Sequence, residues 1–484
     1  MTNSPSISAV PRHPAIIQGG MGVGVSGWTL ARAVARAGQL GVVSGTAVDT
    51  VMVRRLQDGD PGGHVRRAID AFPIPSVGEQ VLRRYFVPGG RAPDAPYRNL
   101  PMFKQTVSAA RLQLTILANF VEVWLAKEGH DGVVGVNLLT KVQLPTLPSL
   151  YGAMLGGVDY VLMGAGIPRE IPGVLDALAE HRAARLRLEV DGDASSRVEE
   201  LAFDPHEHWT PTGALARPRF VPIISAHSLA ATLARKATGR VDGFVVEGPT
   251  AGGHNAPPRG EPRFTDDGEP VYGERDRVEL DKVRELGLPF WLAGGTGSPE
   301  ALQSAQAIGA AGIQVGTLFA YCEESGLAPT VRADVLAGIA EGRVRVRTDP
   351  RASPTGYPFK VVEIAGSPRQ DDTRERVCDL GYLRRAYRMP NGKLGFRCAA
   401  EPVQAYIEKG GDVADTVGRR CLCNGLTANI GQAQHRASGD ELPLVTSGDD
   451  LLAVRALAAR HGGRGYSASD VIAHLLSGAV AASC

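Results

Sequence analysis

The stretch "IIQGGMGVGVSG", Ile16 to Gly27, carries Gly22, Gly24 and Gly27 in the spacing G-x-G-x-x-G between an apolar run and a helical pattern. That spacing has two readings. One is the first turn of a doubly wound dinucleotide-binding sheet, where glycines let the backbone approach a pyrophosphate. It demands an acidic residue about 20 positions on, at the tip of the second strand, to hold ribose hydroxyls. Here that strand ends "VVSGTAVD", with Ser44 and Gly45 at its tip and Asp49 already inside the next helical pattern. Glycines also close nearly every later apolar run, whereas the doubly wound fold concentrates them at one turn. The other reading, a strand-to-helix turn at the mouth of a barrel, therefore takes precedence.

Eight short apolar runs of β-branched character support it: 14–20, 40–45, 132–139, 158–166, 219–225, 241–248, 289–295 and 311–317. Continuous apolar runs of this length read as strands covered on both faces. Helical patterns such as "GWTLARAVARAG", "SLAATLARKATG" and "SPEALQSAQAIGA" lie between most of them, many closed by glycine. The expected architecture is α/β, a (β/α)8 TIM barrel over residues 1–345. A helical insertion is expected at 58–130 and a hairpin insertion at 186–218. Residues 346–484 then form a C-terminal extension packed on the barrel, because their helical pieces are short.

Composition narrows the function. In 484 residues, 52 lysines and arginines nearly balance 51 aspartates and glutamates, so nothing attracts a polyanion. Nucleic acid is excluded as a partner. No run approaches the roughly 18 apolar residues of a membrane span, and the N-terminus lacks a basic region followed by an apolar core. Six cysteines in so long a chain make no disulfide framework. A cytoplasmic protein is expected.

Glycines at the strand tips let the main chain approach a flat ligand over the barrel mouth. Gly294 and Gly295 end the seventh strand, followed by Ser298 as N-cap and Pro299 at the first helical position. Gly316 and Thr317 end the eighth. Loops after these two strands form the usual phosphate cradle of the fold. The sixth strand runs into "VVEGPTAGGHNAPPRG": Glu247 closes it, Gly252 and Gly253 fold over the mouth, and His254 follows. Histidine is the side chain most readily poised to move a proton near neutral pH. Cys378, Cys398, Cys421 and Cys423 fall within 46 residues of the extension, but not in paired C-x-x-C form, so packed thiols are expected and no metal site. "HEH" at 206–208 reads as solvated surface.

In this order, "PAIIQGGMG", "GVNLL", "VVEGPTAGGHNAPPRG", "LAGGTGSPEAL" and "IQVGTLF" resemble the nitronate monooxygenase family, formerly 2-nitropropane dioxygenases, over about residues 13–365. The family comprises FMN-binding barrels and includes flavin-dependent enoyl-acyl carrier protein reductases. The resemblance implies that Gly20, Met21 and Gly22 lie against the flavin ring, that Asn137 bonds it, and that Gly252 and Gly253 approach it. It implies further that Gly294, Gly295, Gln314, Val315, Gly316 and Thr317 hold the phosphate end, with His254 facing the substrate. Where many members carry glutamine, this chain has Glu247, a carboxylate that accepts from the flavin but cannot donate. "ASPTGYPFKVV" (352–362) resembles the family's S-x-x-G-x-P loop with Lys360 added; with "NAPPRG" it is expected to form a stiff substrate lid.

The function expected is FMN-dependent oxidation of a nitronate, or a related carbon acid, by molecular oxygen. Partners would be a small-molecule substrate and O₂, with room for a homo-oligomer and none for a membrane. Two alternatives stay open: an NAD(P)H-driven enoyl-thioester reductase on the same fold, and a flavin-free phosphate-binding barrel acting as isomerase, lyase or binding module.

Overall fold

A computed structural model describes residues 13–192, 198–365, 375–463 and 465–478. Residues 1–12, read above for a leader, and 193–197, inside the 186–218 hairpin, lie outside that set. All eight apolar runs are strands: β1 (Ile16–Gln18), β2 (Gly41–Ser44), β3 (Val134–Leu139), β4 (Tyr160–Gly164), β5 (Arg219–Ile224), β6 (Phe244–Glu247), β7 (Phe290–Ala293) and β8 (Gly312–Val315). They form one parallel sheet in the order β1-β8-β7-β6-β5-β4-β3-β2. The sheet closes where Ile17 bridges Leu40: Gln18 N–H donates to the Leu40 carbonyl at 2.9 Å and Leu40 N–H to that of Ile16 at 3.1 Å. This is a TIM barrel.

The side-chain alternation of each strand explains why its sequence is mostly apolar at both parities. One parity fills the barrel interior, where Ile17, Val42, Leu162, Val221, Val245 and Trp291 form a closed cluster. The other parity, including Ile16, Val43, Val161, Phe244, Phe290 and Ile313, packs outward against the helices. A strand with two buried faces is apolar along most of its length, and polar residues such as Asn137, Glu247 and Gln314 come toward its C-terminal end.

The helical layer includes Trp28–Arg36, Thr146–Leu155, Ile171–Ala179, His227–Lys236 and Pro299–Ala307. The segment 58–130 divides in two. Short helices at His64–Asp70 and Pro75–Tyr85 lead into a loop, whereas Ala109–Lys127 joins the barrel's own layer, packed against Trp28–Arg36 and Thr146–Leu155. Ser108 caps that helix by accepting from Arg111 N–H at 3.3 Å, and it is buried nearly all round.

Strands Ala184–Leu188 and Glu199–Phe203 pair antiparallel. Beyond the barrel, Val344–Asp349 pairs antiparallel with Phe359–Ile364, and Arg385–Arg388 pairs with Leu394–Arg397 and, in parallel, with Val190–Asp191. Helices Leu451–Arg460 and Ala468–Leu476 put Val454, Leu457, Val471 and Leu475 into the same core as the barrel helices. Among the described residues no helix is long and apolar enough to cross a membrane.

Candidate functional site

The C-terminal ends of the strands surround a cavity of about 210 Å³. Of the residues singled out from sequence, Gly20, Met21, Gly22, Asn137, Glu247, Gly252, Gly253, His254, Gly294, Gly295, Gln314, Gly316 and Thr317 all line it. Val315 does not. Its neighbour Gln314 has the same parity as Ile17, its partner across the β1–β8 ladder, and faces the mouth; Val315 therefore turns outward and is 1% exposed among the helices. Only its carbonyl serves the rim, accepting from Gly19 N–H at 2.9 Å.

The glycines are required by close approach. A Cβ on Gly20 would stand 2.2 Å from the Cβ of Asn137, whose Nδ2 donates to the Gly20 carbonyl at 2.9 Å. Gly294 and Gly295 hold φ of 92° and 69°, a left-handed backbone that other residues rarely adopt. Two buried amide oxygens, Asn137 Oδ1 and Gln314 Oε1, have no hydrogen-bond partner. An orphaned buried acceptor is costly unless a ligand supplies a donor. The ring N–H of a flavin is a donor of the right kind, so this end of the cavity fits that cofactor.

The phosphate end carries a residue that sequence reading missed. The segment Thr446–Asp450, about 130 residues beyond β8, folds back over the mouth. Thr446 Oγ1 accepts from Gly253 N–H at 3.0 Å, Gly448 N–H donates to Thr317 Oγ1 at 3.1 Å, and Asp450 Oδ2 accepts from Gly297 N–H at 3.2 Å. A carboxyl thus takes one donor of the expected phosphate cradle. Burial, with Asp449 adjacent, raises the pKa of Asp450, which eases its fit beside an anion. The signal was present as "TSGDD" directly before an apolar helical pattern.

Lys360 is the strut behind this segment and does not belong to a lid. It is 3% exposed, and its Nζ donates to both Asp449 oxygens at 2.8 and 3.0 Å and to Thr348 Oγ1 at 2.9 Å. The loops around His254 and Phe359 do pair, through Asn255 N–H to the Pro358 carbonyl and Lys360 N–H to that of Gly253, both at 2.9 Å.

Glu247 and His254 are both shifted by burial, in opposite chemical senses. Glu247 has no cation beside it, and desolvation alone pushes its carboxyl up to about 8. It keeps its proton at neutral pH and can donate as well as accept, which corrects the expectation of an acceptor-only carboxylate. His254 packs edge-on against Phe359 at 4.9 Å, and its Nε2 meets Ser353 Oγ at 2.7 Å. Burial, then the nearby Lys141, push the imidazole down to about 3. It is neutral through the physiological range, and in the tautomer in which Nε2 donates to Ser353 Oγ, Nδ1 is an open acceptor but a weak base.

The far wall comes from the extension: Tyr382, Leu383, Leu422, Cys423 and Leu426. The Tyr382 hydroxyl bonds Asp49 and, at 2.7 Å, Thr50. Asp49 is itself paired with Arg111 at 2.8 Å, both side chains buried. Burial would raise the Asp49 carboxyl; Arg111 and the hydroxyls of Tyr382 and Thr115 outweigh it and hold it below its usual range. This acid is committed to a structural pair and could serve no ribose. The thiols of Cys378, Cys398, Cys421 and Cys423 come within electrostatic reach of one another; burial favours the protonated forms of Cys378 and Cys398, and a hydrogen bond with Cys421, then burial, favours that of Cys423. Among the described residues, no group of three metal-ligating side chains is arranged to hold an ion. His206 is exposed, and His208 stacks on Phe203. A larger cavity of about 350 Å³ lies beside the 184–203 hairpin; it carries charges of both signs and none of the residues singled out above.

Comparison with protein families matches residues 177–348, which span β5 to β8, to the nitronate monooxygenase family. That stretch, about a third of the chain, is similar to this family of oxidoreductases. The chain is also similar to three solved structures. FabK from Thermotoga maritima is 16% identical over 97% of this chain and 94% of its own, with a TM-score of 0.46. Nitroalkane oxidase from Streptomyces ansochromogenes is 16% identical over 97% and 98%, with a TM-score of 0.45. The enoyl reductase domain of MlnA from Bacillus amyloliquefaciens is 12% identical over 97% and 94%, with a TM-score of 0.48. Comparison with curated protein sequences gives no match.

Proposed function

We propose that this chain is a flavin-dependent oxidoreductase, with FMN as its cofactor, that oxidises a nitronate or a related carbon acid with molecular oxygen. The observation that carries this reading is the convergence, in one cavity, of the strand-tip glycines, two unpaired buried amide oxygens and His254. Asn137, Gln314 and the protonated Glu247 would hold the ring of the cofactor; the backbone at Gly295 and Gly316 would hold its phosphate. Bound there, a flavin supplies two-electron chemistry that no side chain provides. His254 offers Nδ1 to an acidic C–H and fixes the orientation of the substrate. Glu247 supplies a proton-bearing carboxyl at neutral pH.

A second reading, reduction of an enoyl thioester by NAD(P)H, draws support from the apolar wall of Phe359, Leu383, Leu422 and Leu426, which suits an acyl chain. A visible spectrum of the purified protein tests the shared premise, because a colourless protein at full purity leaves only a flavin-free barrel. Anaerobic bleaching then separates the two readings. Loss of colour with propionate 3-nitronate or an alkyl nitronate favours the oxidase; rapid loss with NADH or NADPH alone favours the reductase.

A further inference from the structure

His254 poses a problem that its surroundings answer. A base that takes a proton from carbon must pass that proton on, and an imidazole packed against Phe359 is poorly placed to carry a positive charge. Its Nε2 lies 2.7 Å from Ser353 Oγ, and Ser353 Oγ lies 2.7 Å from Thr355 Oγ1. Thr355 Oγ1 lies 3.5 Å from Lys141 Nζ. Ser353 and Thr355 are 0% and 5% exposed, so water does not compete for these hydroxyls. Nδ1 has no hydrogen-bond partner among the described residues and is left for the cavity that His254 lines. Four residues from three distant stretches of chain thus stand in one file from the barrel mouth to the half-buried loop after β3.

We propose that Ser353, Thr355 and Lys141 form a relay that carries the proton collected by His254 to the Lys141 amine. The inference rests on the proposed function in that the proton originates on a carbon acid. The substrate C–H bond breaks, its electron pair stays on carbon as the nitronate, and the proton goes to Nδ1. The proton on Nε2 passes to Ser353 Oγ, the serine hydroxyl proton to Thr355 Oγ1, and the threonine hydroxyl proton to the lysine lone pair. Each oxygen gains one proton and loses one. The imidazole returns to neutral as its other tautomer, and the ammonium formed at Lys141 is discharged to water. The last link closes by about 0.5 Å to reach ordinary hydrogen-bond length, which a lysine side chain allows.

The terminal acceptor must be an unprotonated amine, and its surroundings favour that. Burial and the guanidinium of Arg385 push Lys141 down to about 6, against a smaller opposing effect of Glu189. Its other neighbours are His254, through the file, and the ring of Tyr357, whose face favours the ammonium; Arg419 donates to the Ser353 carbonyl at 2.7 Å, and Thr355 N–H donates to Ser353 Oγ at 3.2 Å, which leaves that oxygen its own proton and one acceptor site for the relay. None of the three residues touches the substrate, so they position and pass the proton and are not catalytic residues.

The test uses the flavin-loaded full-length protein with a neutral nitroalkane and its preformed nitronate. In the wild type, kcat for the nitroalkane should fall on acidification as Lys141 takes up a proton near pH 6. Lys141→Met should abolish that limb and lower kcat about ten- to a hundredfold with little change in KM, and the nitronate, which has no proton to give, should lose far less. Thr355→Val should reproduce the loss with Lys141 intact, and the two changes together should cost no more than either alone. An unchanged acid limb in Lys141→Met, or additive losses in the double variant, overturns the relay. A second readout needs no turnover: removing the cation should raise the imidazole titration of His254, followed by NMR. A raised titration in a protein that oxidises no carbon acid would sink the proposed function and keep the Lys141–His254 coupling. An unmoved titration removes the coupling whatever the reaction.

Discussion

The barrel mouth has two walls built on different principles. The wall from β1, β6, β7 and β8 is backbone: glycines at the strand tips, where a Cβ on Gly20 would collide with Asn137. The wall from the extension is side chain: Tyr382, Leu422, Cys423 and Asp450, held by ties such as Lys360–Asp449. The first wall creates room for a flat ligand through its backbone, although the extension also reaches it where Thr446 Oγ1 accepts from Gly253 N–H. The second shapes and charges that room, and exists only once the extension has docked. A substitution in the first wall should therefore act on whether the cofactor is held at all, and one in the second on how well and at what pH.

The comparison breaks most directly at Gly295. Its φ of 69° strains any other residue, and aspartate would add charge to a loop shaped for an anion, two residues before the Gly297 N–H that Asp450 already takes. Gly295→Asp should lose its flavin during gel filtration, read as the loss of visible absorbance per chain. Full occupancy would remove the phosphate from this loop.

His254→Asn comes next. For a neutral nitroalkane a base must break the C–H bond, whereas a preformed nitronate has already lost that proton. Relative to wild type, the two substrates should diverge by at least about a hundredfold in kcat/KM, since general-base catalysis is typically worth about 10²- to 10⁴-fold. Equal losses would make His254 an orienting group.

What could be read from the sequence follows the same division. The eight strands and the glycine tips are local: each is a run of apolar residues ending where the backbone must turn. The helix at 109–127 was legible as a helix, but its place in the barrel layer depends on which neighbours cover it. Val315 was assigned with Gln314, although adjacent residues of a strand face opposite sides; the side-chain period of two would have separated them. Tyr382, which meets Thr50 across 332 residues, leaves no mark on local pattern. Neither does the protonation of Glu247, because burial is a property of the assembled mouth.

Glu247 offers a thermodynamic test of that assembly. Its carboxyl is raised from an ordinary value near 4.5 to about 8, so the folded state holds the proton more tightly than the unfolded chain. Below pH 4.5 the side chain is neutral in both states and adds no pH dependence. Between 4.5 and 8 the unfolded chain gains by ionising, so stability declines as pH rises, and above 8 the decline stops. Glu247→Gln, always neutral, should match wild type at pH 4.5 and exceed it at pH 8 by at least about 2–4 °C in Tm. Parallel Tm–pH curves would mean that the carboxyl is solvated or paired in solution.

The smallest effect belongs to the far wall's own charge. Asp450 stands at the N-cap position of the helix Leu451–Arg460 without a side-chain bond to it, and accepts instead from Gly297 N–H. Asparagine keeps the oxygen acceptor for Gly297 and is equally suited to an N-cap position, so Asp450→Asn changes the charge and little else. With the carboxyl pKa raised by burial, repulsion toward a bound phosphate is weakest at low pH, where the acid keeps its proton, and grows as the group ionises. The variant should hold FMN about three- to tenfold more tightly than wild type at pH 8, with a smaller gain at pH 5, as measured by fluorescence quenching of added FMN. Tighter binding that grows with pH sets Asp450 against the phosphate and separates the two walls by function. Weaker binding at both pH values would instead make Asp450 a direct acceptor for a hydroxyl of the cofactor, and the two walls would then be parts of one binding surface.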